Sequence, residues 1–231
     1  MEKKKMGLGK KILIGFLIIL LILILLVVVH TLRNYLIVKD LQDKISVHDK
    51  SLNYHVEVLG THEKGAESRV NYYRKENKEA YILERIESGE LVGKLSYYNN
   101  GERIDFFAEN ISGEKIAKLG ESYMPKVEIM SGLGMTEHSP KILECFMYKI
   151  KQIDYEGKEC YEIKIFYSPD FLYEDEGGES SIIVEKETGI NVKVCMGESI
   201  SEKRYEFDNV DDSIFIEPNI GEYKLQINDE I

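Results

Sequence analysis

From Ile12 to Val29 no position carries a charge or a hydrogen-bonding side chain, and Leu20 lies at the middle of the run. At the helical rise of about 1.5 Å per residue these positions span roughly 27 Å, close to the hydrocarbon thickness of about 30 Å. Lys3, Lys4, Lys5, Lys10 and Lys11 precede the run, and Arg33, Lys39 and Lys44 follow it closely. A cleaved signal has an apolar stretch of about 7–15 residues and a small-residue cleavage site. Here the stretch is longer and ends on Val27, Val28, Val29 and His30. The pattern predicts a permanent anchor: a basic tail over 1–11 and a transmembrane helix over 12–32. The excess of lysine before the run places the N-terminus in the cytoplasm and sends the following domain outside, as a single-pass protein of the cell membrane.

Beyond the anchor, Leu32, Leu36, Leu41 and Ile45 recur at helical spacing. They predict an amphipathic helix over 33–50, either continuing the membrane helix or following a short break. From Asn53 the period changes to two, with Tyr54, Val56 and Val58 alternating with polar residues. Runs at 69–75, 79–87, 91–98 and 102–109 are separated by Glu76-Asn77, Ser88-Gly89 and Asn99-Asn100-Gly101. Short strands joined by Gly/Asn turns predict antiparallel hairpins. Residues 113–147 break the rhythm, and 114–118 and 141–146 read as short helical turns. Strands resume at 147–155, 158–167, 181–187, 190–196 and 201–208, with last pieces at 214–216 and 223–227. About ten strands follow the helix, so the fold class is α+β, mostly β, with one extracytoplasmic domain over 51–231. Several strands are apolar on both parities, so part of the second sheet face is covered, with 31–48 and 113–147 as the available covers.

Charge narrows the partners. Taking the five lysines and one glutamate of residues 1–32 from the totals of 30 basic and 41 acidic residues leaves 25 and 40, a net charge of −15 outside the anchor. Nucleic acid and anionic headgroups repel such a surface. Cys145, Cys160 and Cys195 are an odd set without a C-x-x-C spacing. Cys160 and Cys195 fall two strands apart in a simple meander, near 10 Å at about 4.8 Å per strand step. Free thiols are expected, because a disulfide needs Cα atoms within about 7 Å.

No catalytic or metal-binding constellation emerges. His55 and His62 lack a third ligand nearby, and the acidic stretch 170–179 lacks the spacing and central glycine of a calcium loop. Ser131 is outside a G-x-S-x-G context, and His138-Ser139 has no oriented acid. The expectation is a protein without enzymatic activity, cofactor or metal. Fifteen tyrosines and no tryptophan are unusual. Tyr72-Tyr73 and Tyr97-Tyr98 put rings on both faces of a sheet, either as cross-strand packing or as the lining of a groove.

Four short stretches carry a resemblance: Leu95–Phe107 as a strand–turn–strand, Tyr155–Ile163 as a hairpin, Glu187–Ile190 as a turn, and Arg204–Val210 followed by Ile214–Pro218 as a closing strand. Together they are similar to the lipoprotein-carrier superfamily, the LolA/LolB-like half-barrels. The resemblance implies a curved antiparallel meander sheet wrapped around helices, with an apolar cavity on its concave face. Leu41, Ile45, Tyr72, Ile82, Leu95, Tyr97, Phe106, Ile163 and Ile165 are the groove or core candidates. The departure is the anchor, since a tethered chain cannot shuttle between membranes. Two functions are expected from this combination. One is an extracytoplasmic binding protein that holds a lipid, a lipoprotein acyl chain or an apolar partner segment. The other is an interaction or regulatory module of the cell envelope or of sporulation, with a filled core and an envelope protein as partner.

Overall fold

A computed structural model describes residues 8–48, 51–61, 66–127, 142, 144–165 and 180–226 of the protein. The chain begins with α1 (Leu8–His48), 41 residues long, about 60 Å at 1.5 Å per residue. The membrane-length run and the amphipathic segment are therefore one unbroken helix. Its most apolar 18-residue window has a mean hydropathy of 3.8 and is 0% buried, so the helix is long and apolar enough to cross a membrane. The buried positions beyond that window are Asn34, Val38, Leu41 and Ile45. Their spacing of three and four keeps them on one face. Leu32 and Leu36, expected on that stripe, are instead exposed.

Twelve strands follow among the described residues. The first meander is β1 (Asn53–Thr61), β2 (Glu67–Lys75), β3 (Lys78–Glu87), β4 (Glu90–Asn99), β5 (Ile104–Asn110) and β6 (Lys115–Leu119). The second is β7 (Tyr148–Tyr155), β8 (Lys158–Ile165), β9 (Ser180–Glu185), β10 (Asn191–Met196) and β11 (Ser199–Phe207). A short β12 (Lys224–Leu225) ends the set. All belong to one open sheet of order β12-β6-β5-β4-β3-β2-β1-β11-β10-β9-β8-β7. Each meander pairs its strands in sequence, and the two join where β1 lies antiparallel to β11. Among the described strands only β12 is parallel to its neighbour, β6.

Two local expectations are corrected and a third is met. Residues 115–119 are strand β6 rather than a helical turn, paired to β5 through Phe107–Ala117. Residues 212–215 form a short 3-10 helix rather than a strand, capped by the Asp211 side chain, which accepts from the Ser213 N–H. The helical turn expected at 141–146 is present as a 3-10 helix over Glu144–Met147. His62, Ser131, His138 and Ser139, with the acidic stretch 170–179, lie outside the described residues.

The sheet has a front face, which carries the helix, and a back face. Val38 and Leu41 pack on Cys145 of the 3-10 helix and on Tyr148, Ile150, Ile163, Ile182 and Val184 across β7–β9. Ile45 reaches Tyr54, Val56, Tyr72 and Ile190, so the helix bridges the two meanders at their seam. On the back face Ala80, Tyr98, Phe107 and Ala117 are closed by Tyr223, Ile214 and Phe215 from the C-terminal segment. Two covers on opposite faces explain why the strands are apolar on both parities.

Candidate functional site

Cross-strand register sorts the first meander's front face into rows, because residues directly opposite point to the same side. The row nearest the helix end is Tyr54, Arg74, Glu79, Asn99 and Ile104. Glu79 is buried and accepts from the Tyr72 hydroxyl at 2.6 Å and from the Asn99 amide at 3.1 Å. Lys126 stands 3.8 Å from the same carboxylate. Burial, and then the bond to Glu79, push the Tyr72 phenol far above its ordinary range. Tyr72 is a hydrogen-bonded core residue.

The next row is Val56, Tyr72, Tyr81, Tyr97 and Phe106. Tyr97 meets Tyr81 at 6.1 Å and Phe106 at 4.8 Å between ring centroids. Met124 and Val127, just beyond β6, lie over this row. The third row is Val58, Val70, Leu83, Leu95, Ala108 and Ile116. It is aliphatic throughout, crosses six strands, and every member is only half-buried. Its five strand steps cover about 24 Å at about 4.8 Å each.

Open pockets lie at both ends of this aliphatic row. One, of about 390 Å³, is lined by Val58, Val70, Tyr81, Tyr123, Pro125, Lys126, Val127 and Lys203. The other, of about 480 Å³, includes Leu95, Ala108 and Ile116 with Arg85, Asn110 and Glu114. The charged residues lining the first pocket are both lysines.

The groove candidates divide by position. Tyr72, Leu95, Tyr97 and Phe106 share the front face of the first meander. Leu41, Ile45 and Ile163 are buried between helix and sheet, where they fill the interior. Ile82 pairs with Asn71 and Ser96 and lies on the back face with Phe107, away from the other candidates. The Ile165 side chain lies outside the description. The pocket residues Val58, Val70, Tyr123 and Lys126 were absent from the candidates. Val58 and Val70 were readable as alternate positions of two strands; nothing local marks Tyr123 and Lys126, which come from the irregular connection.

Two ionisable groups on the back face are held by neighbouring side chains and backbone. Asp105 is fully buried on the back face and accepts from Arg103 at 2.7 Å and from the Gly120 N–H at 3.1 Å. Burial, with Asp105 as a like charge beside it, raises the Glu217 carboxyl above its usual range. His55 stacks on Tyr73 at 4.3 Å and bonds Asn71 at 3.0 Å. Among the described residues no group of three His, Cys, Asp or Glu is placed to hold a metal ion. The chain matches no family model and no curated protein sequence.

Proposed function

We propose that this is a membrane-anchored, non-catalytic binding protein whose front-face groove holds an apolar chain with an anionic end. The supporting observation is the aliphatic row from Val58 to Ile116 with an open pocket at either end. The row is about as long as an extended long acyl chain, or as an extended peptide of about seven residues. Lys126, exposed at the first pocket and 3.8 Å from Glu79, supports a carboxylate or phosphate end there, in a domain whose overall charge is strongly negative. The half-barrel resemblance agrees with this reading, and the anchor limits it to ligands delivered at the membrane. The cytoplasmic N-terminus and the extracytoplasmic domain are part of the same proposal.

The filled interface beneath the helix supports one refinement. Val38, Leu41, Ile163 and Ile182 are at most 2% exposed, so the ligand site belongs to β1–β6, beside the helix. The test uses the full chain in lipid nanodiscs with a photoactivatable fatty acid. Crosslinks on peptides of β2–β5, lost in Leu83→Asp and Leu95→Asp, are expected. Labelling confined to residues 12–29 would overturn the proposal.

A further inference from the structure

The end of the domain nearest the apolar run carries large apolar side chains that are exposed among the described residues. Phe146 is 51% exposed, Ile142 44%, Leu36 63% and Leu32 43%. Such residues on a folded domain point to a contact surface. Their position identifies the partner. The Phe146 ring makes an edge contact with His30, centroids 6.5 Å apart, and His30 is the first residue beyond the apolar run. Along the helix His30 lies only about 1.5 Å past Val29. The interfacial zone outside the hydrocarbon is about 5–7 Å thick on each side.

A buried amide holds the contact. Asn34, 0% exposed, donates through its amide nitrogen to the carbonyl oxygens of Cys145 at 2.9 Å and Tyr148 at 2.7 Å. Those two carbonyls bracket Phe146, so one buried side chain locks the 3-10 helix to α1 one turn above the anchor. Exposed Arg33 lies between the span and this clamp, at the height where cations meet headgroup phosphates. From this geometry we infer that the Phe146 face docks into the bilayer interface, so that the domain lies on the membrane in a fixed orientation. The inference rests on the anchor reading, whose failure the experiment separates.

The chain has no tryptophan, so single substitutions report their own depth. Phe146→Trp, Leu20→Trp and Leu52→Trp are made in the full chain and reconstituted into phosphatidylcholine vesicles. The lipids are brominated either near the top or near the end of the acyl chain. The inference expects Phe146→Trp to lose emission chiefly to the shallow quencher and Leu20→Trp chiefly to the deep one. Leu52→Trp, exposed beyond the far end of α1, should keep its emission. If Leu20→Trp is quenched while Phe146→Trp matches Leu52→Trp, the anchor stands and docking is wrong. If Leu20→Trp is unquenched as well, both fail. An unquenched, blue-shifted Phe146→Trp would assign the face to a second copy of the chain and overturn the membrane contact.

Discussion

A methyl group at position 189 would collide with the carbonyl oxygen of Leu41 and sit 3.0 Å from the amide nitrogen of Ile45. Gly189 also has φ +75, a conformation that L side chains rarely adopt. The turn between β9 and β10 is thereby pressed against the backbone of α1, and Lys44 bonds the carbonyl of Lys186 across the same contact at 2.8 Å. Gly189→Ala should cost about 2 kcal/mol or more, combining backbone strain with displacement of the helix. Gly157→Ala is the control, because Gly157 has φ +78 with nothing within 4 Å and should cost only about 1 kcal/mol. Thermal melts of the full chain in mild detergent check the difference. Equal losses would mean that the turn does not seat the helix. The sequence shows a tight turn at Thr188-Gly189, and residue types alone account for its backbone. That the turn abuts a helix about 145 positions earlier in the chain is a tertiary fact that no local pattern encodes.

Single elements followed their periodicity wherever they were long enough to display it. The tyrosine pairs split between faces as alternation requires: Tyr72 and Tyr97 join the helix-side cluster, and Tyr73 and Tyr98 the back cluster. Misreadings fell on short pieces. Five residues at β6 show too little of either period, and pairing with β5 decided the outcome. At 212–215 the Asp211 cap was the available signal, and it outweighed the strand-like Ile214 and Ile216. At Asn191 the register slips before Lys193, so Asn191 turns inward while Cys195 keeps to the back face. Cys160 lies opposite Glu185 and Cys195 opposite Ser181, four residues apart along β9, and all three cysteines are free. Cys145 and Cys160 are 0% exposed, and burial and then the Glu185 carboxylate raise the Cys160 thiol. Brief alkylation of the native chain should modify Cys195 alone, and denaturation should release the other two. Intact mass reads both results, and a native product bearing three labels would contradict the buried assignments.

At the scale of the molecule, two meanders meet at a single β1–β11 seam, and each depends on a cover from elsewhere in the chain. The helix closes the front of the second meander, so helix and strands share one core. The C-terminal segment closes the back of the first meander, leaving that meander's aliphatic front row uncovered by the helix. Tyr223 is the keystone of the back cover. Its ring meets Phe107 edge-on at 5.1 Å, Lys115 lies 5.3 Å from its centre, and its hydroxyl donates to Glu109. Immediately after it, β12 pairs with β6 and so covers an edge that would otherwise offer unpaired backbone groups. Removing the ring should therefore cost about 3 kcal/mol, the usual loss for a large buried aromatic. Removing only the hydroxyl should cost about 1 kcal/mol, the worth of one hydrogen bond. Tyr223→Ala and Tyr223→Phe, melted in the same detergent, separate packing from bonding. With the edge of β6 released, Tyr223→Ala should also aggregate on concentration, whereas Tyr223→Phe should not. If Tyr223→Ala melted like the unmodified chain, the back cover would lie outside the cooperative fold. The first meander would then have to stand on front-face contacts alone, and its aliphatic row would be committed to stability rather than left open for a ligand.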